Sequence, residues 1–572
     1  MESLMITSDY FILNKHFGVI IDYYTGSILY VKKSFLHHFH KYNKADIEQL
    51  ENAYNKNFSK LLPNNLNIVL VPSYMCNMKC QYCYESLYSK NNFCLTNNHI
   101  RSIINAIEEY FKRQHYNYIT FTLLGGEPLL DYNIHWFNNF FMECNNRNLI
   151  YDIFCITNGL NLNDLFDKCS FKISGFQLTI DGDERIHNQR RPSKDKKINS
   201  FNRVIGAIDF LVEKNIYLDI RINIDLNNIN ALGYIINLFY EKQLHINNNV
   251  NIYVYPVTYY PISAKKNSEL EIFKTVLCYL KTLPAEKRFI GLDFHGREFI
   301  DSLLLNKLFI PKFWFCGVST NQLVFDSNGN ISACWWGADT EAFRIGVFDE
   351  KKYTFYHWSL EKLHNRTVMK LHSCKSCKYK YICGTGCAFK AVNRKNFDMK
   401  GHCSDFYHII KLYIQFLFFD ISRSQIKTKK EIKHLRFKYL SFKHLILTYD
   451  GLFIKVSGNS MFLSSQKNIW AYVSIAKNYN IGDIVLYLRG YDLLVHRIVC
   501  KNHKFYLLKG DNENYIEEIH ERCIIAKVNG FSVGKTFDCT VISAIKEYCY
   551  DSIKFRYHLK SKFLYKIEAE NV

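Results

Sequence analysis

Cys76, Cys80 and Cys83 share one short stretch, Met75-Cys76-Asn77-Met78-Lys79-Cys80-Gln81-Tyr82-Cys83-Tyr84, at C-x3-C-x2-C spacing. Thiolates ligate iron–sulfur groups, and their spacing reports which constellation is built. Three on one loop can hold three irons of a 4Fe-4S cube and leave the fourth iron open to an outside ligand. A zinc knuckle is the other chemistry such cysteines serve, and it wants a fourth Cys or His close by. The next cysteine, Cys94, lies 11 residues beyond Cys83, in what reads as a loop before a helix.

A second cysteine field lies far downstream. Cys316-x12-Gly329-x4-Cys334 precedes Cys374-x2-Cys377-x5-Cys383-x3-Cys387, and Cys403 follows. A pair of zinc ribbons is the alternative to iron here. The two fields use ten of the 19 cysteines; the other nine show no motif and read as small buried apolar residues. A third group of reactive types comes last. Val456-Ser457-Gly458-Asn459-Ser460-Met461, Ile481-Gly482-Asp483-Ile484-Val485, Val495-His496-Arg497-Ile498-Val499 and Lys509-Gly510-Asp511-Asn512 follow one another in that order. A serine hydroxyl becomes a nucleophile only when a base takes its proton. Ser460 is the candidate nucleophile and His496 the candidate base. Asp511 is placed to orient the imidazole.

The elements around these residues must position them. Leu66–Val71 is an apolar run entering the first cysteine loop, as a buried parallel strand would. Downstream, apolar runs predict strands at Tyr118–Leu124, Tyr151–Thr157, Gly175–Ile180, Tyr217–Asp225 and Asn249–Val257. Helical periodicity falls between them, near 97–113, 133–147, 199–214, 230–243 and 268–282. This alternation predicts an α/β fold, a partial (β/α)6 TIM-like barrel. Chemistry in such barrels sits at the carboxyl ends of strands. Gly125-Gly126-Glu127-Pro128, Thr157-Asn158-Gly159 and Thr179-Ile180-Asp181-Gly182 fall there, with His187 and Arg191 just beyond. After about residue 445 short alternating runs predict a small β-rich domain.

On these residues the chain resembles the radical S-adenosylmethionine (SAM) enzymes, whose open iron chelates SAM. Gly125-Gly126-Glu127-Pro128 looks like their GGEP turn, which contacts the SAM amino group. Its glycines let backbone approach the ligand closely. Sulfatase-maturing members have Ser-x-Asp-Gly with an Arg twelve positions after the Ser; Thr179 and Arg191 keep that interval. The resemblance therefore implies ribose and carboxylate contacts for Thr179 and Arg191, a place near the adenine for Tyr82, and SAM-site roles for Gly125, Gly126, Glu127, Asn158 and Asp181. The seven later cysteines resemble the SPASM extension, which carries two auxiliary clusters. That pattern implies one cluster on Cys374, Cys377, Cys383 and Cys403, and another on Cys316, Cys334 and Cys387. The last domain is similar to signal-peptidase/LexA-like serine peptidases of the Ser-His variety.

The implied arrangement is an N-terminal hairpin and helix segment (1–65), the barrel (66–300), the SPASM extension (301–420), a basic linker (421–444), the peptidase-like domain (445–550) and a tail (551–572). The expected function is hydrogen abstraction from a ribosomally made precursor peptide, installing a crosslink or other modification, with leader removal by the fused domain. The alternative is maturation of a folded protein partner, with the last domain only binding peptide. Sulfatase maturases place an Asp after the second SPASM cysteine; here Trp335 and Trp336 follow Cys334, which argues against formylglycine formation. The resemblance also implies an electron donor such as flavodoxin or ferredoxin.

Composition agrees. With 572 residues, 48% hydrophobic and 22% charged, the chain suits two or three globular domains. The formal charge of +20 could attract an acidic peptide; no nucleic-acid partner is expected. The N-terminus does not read as a secretory signal and no apolar segment is long enough to span a bilayer, so cluster-spaced cysteines point to a reducing cytoplasm.

Overall fold

The computed structural model describes residues 62–87, 93–257, 268–304, 311–338, 340–392 and 401–417. It also describes short stretches of 5–51 and of 452–533, chiefly strands. The expected linker and tail, and both Ser460 and Asp511, lie outside the described residues.

The N-terminal strands are β1 (Met5–Ile6), β2 (Ser8–Ile12), β3 (Phe17–Asp22), β4 (Ser27–Lys32) and β5 (Lys41–Tyr42). The expected hairpin is the antiparallel β3–β4 pair, and β2 joins it as a third strand.

The chain divides into two compact units, one holding 63–297 and 312–416, the other holding the N-terminal strands and the C-terminal sheet. In the first unit, β6 (Asn65–Val71), β7 (Tyr118–Leu123), β8 (Tyr151–Ile156), β9 (Gly175–Ile180), β10 (Tyr217–Ile224) and β11 (Val250–Pro256) are the six expected strands. Their helices are Asn98–Arg113, Asp131–Asn146, Ser200–Glu213, Leu232–Glu241 and Glu269–Thr282. The expected strands run one residue too far at Leu124, Thr157 and Val257. Each of these still gives its N–H to the neighbouring strand, at 3.1, 3.1 and 2.9 Å, before the backbone turns away.

Among the elements that were not anticipated are a short strand and a helix. A two-residue strand, β12 (Gly291–Leu292), extends the sheet parallel to β11. The helix Glu184–Arg190 is too charged to show an apolar period, yet Asp183 caps it by accepting the Ile186 N–H at 2.9 Å.

The sheet then continues into the cysteine-rich region. β13 (Gln322–Asp326) pairs parallel to β6, with Gln322 opposite Asn67 and Asp326 opposite Val71. β14 (Asn330–Ser332), β15 (Arg344–Phe348) and β16 (Tyr353–Phe355) follow antiparallel, completing an 11-stranded sheet in the order β12-β11-β10-β9-β8-β7-β6-β13-β14-β15-β16. Its parallel part is an α/β sheet consistent with a partial radical SAM barrel. Val69, Val71, Tyr74, Val324 and Ala338 form one core cluster across the β6–β13 seam. On the helix side Phe121 of β7 packs edge-on against Phe140 and Phe141, at 5.6 and 5.3 Å. On the opposite face of β7 Thr120 and Thr122 are only half-buried. That alternation leaves a polar face for the site.

The second unit contains an antiparallel sheet of seven strands: β17 (Leu452–Val456), β18 (Ile469–Ser474), β19 (Ile484–Arg489), β20 (Asp492–Asn502), β21 (Phe505–Lys509), β22 (Glu517–His520) and β23 (Ile524–Val533). Their order is β17-β18-β23-β19-β20-β21-β22. Val485, Tyr487, Ile498, Tyr506, Leu508, Ile519 and Ile524 are its core. Among the described residues no helix is long and apolar enough to cross a membrane.

Candidate functional site

The Cys76–Cys83 loop leaves the carboxyl end of β6 and is pinned on two sides. From the segment after the 184–190 helix, the Pro192 carbonyl accepts Lys79 N–H at 2.9 Å, the Arg190 carbonyl accepts Gln81 N–H at 3.0 Å, and Lys194 N–H reaches the Asn77 carbonyl at 2.8 Å. From the other side the Gly125-Gly126-Glu127 turn closes on it. Glu127 N–H donates to the Met75 carbonyl at 2.8 Å, and Gly126 N–H donates to the Glu85 carboxylate at 2.9 Å.

The glycines of that turn also make room for the protein's own chain. Gly125 and Gly126 have φ of +96° and +48°. A Cβ on Gly126 would stand 1.9 Å from the Met75 carbonyl oxygen, and one on Gly125 would stand 2.2 Å from Val71 Cγ1. What the missing side chains admit is the cysteine loop itself.

Glu127 is buried, and its carboxylate is occupied by protein donors. It accepts from Leu129 N–H at 2.8 Å, Thr157 Oγ1 at 2.6 Å and Asn158 N–H at 2.8 Å. It thus binds the end of β7 to the end of β8. Asn158 passes the link on, donating to Asn77 Oδ1 at 2.7 Å with its Nδ2 3.7 Å from Cys76 Sγ.

On the opposite side Tyr82 is the hub. Its hydroxyl donates to Asp181 Oδ1 at 2.6 Å and accepts from Arg191 at 3.1 Å and Asn223 Nδ2 at 2.9 Å. Burial first, then the Asp181 charge, pushes the phenol well above its ordinary value. Asp181 is fully buried and also takes Arg190 Nε at 2.9 Å, while Arg190 reaches Asp225 at 3.0 Å. Thr179 is buried two residues before Asp181 on β9. Glu85, Arg190, Asn223 and Asp225 complete this network without having been foreseen. Asn223 and Asp225 alternate with apolar residues at the end of β10, where a polar pair in a buried strand was the available signal.

The thiols of the loop are held above their ordinary range. Burial, then Glu127, pushes Cys76 up to about 12, with Cys80 and Cys83 adding to the rise. Cys80 is also raised by burial, against the pull of the Arg191 guanidinium. Thiolates here need a positive centre beside them, and bound iron supplies one while displacing the protons. The residues fit an iron–sulfur group.

Several of the seven later cysteines lie close enough to raise one another's pKa. Burial, then Cys316 and Cys387, raises Cys334 well above the ordinary thiol range, and burial with Cys387 takes Cys316 to about 11. Cys383 is driven to about 12 by burial and then by Cys374, Cys377 and Cys403. Among the described residues no three His, Cys, Asp or Glu are gathered as ligands of a single metal ion. A cube does not ask this, since its cysteines ligate different irons.

Trp336, two residues after Cys334, stacks on Tyr84 beside Cys83, with centroids 4.8 Å apart and planes at 6°. Trp335 packs against the β6–β13 seam cluster.

In the C-terminal sheet, two of the four ordered motifs lie side by side. Val485 pairs with His496, Ile484 with Arg497, and Gly482 N–H donates to the Ile498 carbonyl at 2.8 Å. His496 is buried with Nδ1 2.7 Å from the Tyr487 hydroxyl, which donates to Glu517 Oε2 at 2.5 Å. With its one proton given to Glu517, the Tyr487 oxygen accepts from Nδ1–H. That tautomer leaves Nε2 as the acceptor, as a general base requires. Tyr487 and Glu517 were missed because they sit in strands that read only as apolar or edge segments.

Residues 70–228 match the model of the Radical SAM superfamily, so this stretch is a radical SAM domain, and such a domain implies a 4Fe-4S cluster and SAM. No curated protein matches the chain in sequence. Similar solved structures include native anSMEcpe with bound AdoMet and Cp18Cys peptide, 17% identical with a TM-score of 0.45, covering 63% of this chain and 99% of that one. Streptococcus suis SuiB bound to precursor peptide SuiA is 14% identical with a TM-score of 0.43, covering 70% and 99%. Methylornithine synthase (PylB) is 17% identical with a TM-score of 0.26, covering 41% and 68%.

Proposed function

We propose that this chain is a radical SAM enzyme that modifies a ribosomally made precursor peptide and that its C-terminal domain then removes the leader. The observation that carries the reading is the Cys76–Cys83 loop held at the carboxyl end of a parallel strand by the Glu127 turn and the Arg190–Lys194 segment, within a stretch that matches the radical SAM model. When bound, the first iron–sulfur group supplies the electron that cleaves SAM, and with it the radical that takes hydrogen from a substrate carbon.

The chain's own residues do the positioning. Cys76, Cys80 and Cys83 hold three irons. Gly125, Gly126 and Glu127 hold the turn that meets the SAM amino group, and Asn158 ties it to the cysteine loop. Tyr82, Thr179, Asp181 and Arg191 form the wall that receives the nucleoside and carboxylate. Cys374, Cys377, Cys383 and Cys403 hold one auxiliary cluster; Cys316, Cys334 and Cys387 hold the other. Trp335 stands where formylglycine formation would want a carboxylate, which favours peptide crosslinking. In the last domain Ser460 attacks the leader bond's carbonyl, His496 takes its proton at Nε2 and passes it to the departing amine, and Asp511 adds negative charge for an imidazole whose Nδ1 already meets Tyr487. The reaction is placed in the cytoplasm, with flavodoxin or ferredoxin as electron donor.

Anaerobic reconstitution with iron and sulfide counting, followed by a SAM-cleavage assay, tests this. About twelve irons per chain are expected. 5′-Deoxyadenosine should form, and should be lost on replacing Cys76, Cys80 or Cys83. Zinc in place of iron, or no SAM cleavage, overturns it. Release of leader by Ser460→Ala at the wild-type rate would sink the peptidase half alone.

A further inference from the structure

Arg366 is a permanent cation with almost no water around it, at 1% exposure. Its guanidinium donates to Thr385 Oγ1, to the Gly386 carbonyl at 2.9 Å and to the Thr385 carbonyl at 3.2 Å. These acceptors are the middle of the loop from Cys383 to Cys387, and those two cysteines belong to different proposed sets.

That loop is the crossing between the sets. Gly384, Thr385 and Gly386 are all left-handed, with φ of +61°, +84° and +70°. For a threonine this is a costly conformation that its surroundings must enforce. A Cβ on Gly384 would stand 2.2 Å from the Trp314 carbonyl, two residues before Cys316 of one set. A Cβ on Gly386 would stand 2.1 Å from the His402 carbonyl, next to Cys403 of the other. His402 N–H also donates to the Thr385 carbonyl at 2.9 Å.

A buried guanidinium costs several kcal/mol unless anions compensate it. The cysteines that bracket its three acceptors, Cys383 and Cys387, stand one in each proposed set, so the guanidinium lies at the junction of both.

We infer that Arg366 is a positioning residue shared by both auxiliary cysteine sets: it fastens the Cys383–Cys387 crossing and sets one positive charge beside both. This rests on the proposed function, in which each set holds an iron–sulfur cluster. Reduction adds negative charge, and a fixed cation favours the more negative state, so local charge and hydrogen bonding set cluster potentials. One arginine therefore tunes the two clusters together.

The test is an EPR-monitored redox titration of the reconstituted full chain, with iron counting, for wild type, Arg366→Met and Arg366→Lys. In Arg366→Met both auxiliary midpoints should move to more negative potentials. In Arg366→Lys, which keeps the charge and loses the fork, they should stay nearer wild type even where iron loading falls. Unmoved midpoints, movement of one cluster only, or equal shifts in the two variants overturn the inference. If Arg366→Met fails to load iron, Arg366→Lys decides: midpoints near wild type support the charge, and a large negative shift refutes it. A wild-type chain with only about four irons removes the proposed function as well. About twelve irons with unmoved midpoints removes this inference alone.

Discussion

Tyr82 meets Asp181 across 99 residues of sequence, whereas Tyr487 meets His496 across nine. In the radical SAM domain the polar groups of the site come from several different strand ends, and parallel strands can be neighbours only after a long crossover. The hydrogen bonds between those groups are then the same bonds that hold the strand ends in place. In the C-terminal sheet the candidate base lies within the antiparallel β19–β20 pair, and its described partners sit on β19 and β22. One site is built from strand ends brought together over long crossovers; the other is built from groups near one another along the chain.

The largest effect that would test this contrast is at Gly126. Gly126→Ala puts a methyl where the Met75 carbonyl passes, at a φ of +48°. The cysteine loop must shift by about an ångström or more, and displacement of that size costs about a hundredfold in rate. SAM cleavage should fall by at least that factor, with reduced iron retention. Full iron loading and undiminished 5′-deoxyadenosine would break the contrast, because the turn would then be independent of the loop.

Asp181→Asn comes next. It strips a buried carboxylate from Arg190 and the Tyr82 hydroxyl, at 2.9 and 2.6 Å. Breaking a buried pair from one side costs about 3–5 kcal/mol, and the low end is expected because Arg190 keeps Asp225 at 3.0 Å. Chemical denaturation should show that loss together with weakened SAM binding. Loss of SAM binding at unchanged stability would mean that the wall is not structural.

The strands and their helices were legible because a parallel sheet covered by helices is written as apolar runs separated by helical periods. The cysteine fields stood out through their spacing. The ties between them did not. Arg366 stands alone in Asn365-Arg366-Thr367, and nothing local announces that it meets the Thr385 and Gly386 carbonyls. The roles of Gly125 and Gly126 depend on what lies opposite them, which the chain does not state. The 184–190 helix is polar on nearly every side and is made by its Asp183 cap. In the C-terminal region Tyr487 reads as one more apolar strand residue until His496 is seen beside it.

Tyr487→Phe sharpens the contrast in the other unit. Losing the hydroxyl leaves His496 and Glu517 without the group that joins them, which costs about 1–3 kcal/mol. The imidazole also loses the acceptor that selects its tautomer, so leader cleavage should fall at least about tenfold, since a positioned base is worth more than that. Deoxyadenosine formation should be untouched. A parallel fall in both activities would show that the two chemistries do not separate along the line between the units.

The smallest effect isolates stability from chemistry inside the radical SAM unit. Ser268 caps the helix Glu269–Thr282 by accepting the Glu271 N–H at 3.1 Å. It takes no part in the network around Tyr82 or Glu127. Ser268→Ala should cost about 1 kcal/mol, visible as a lower denaturation midpoint, while SAM cleavage stays at the wild-type rate. Asp181→Asn and Ser268→Ala then form a pair: both destabilise one unit, and only the first should touch chemistry. If Ser268→Ala also slowed SAM cleavage in proportion to its stability loss, the sensitivity of the site would be that of a marginal domain as a whole. If it does not, the sensitivity belongs to the particular bonds that join the strand ends, which is what distinguishes this site from the one on the C-terminal sheet.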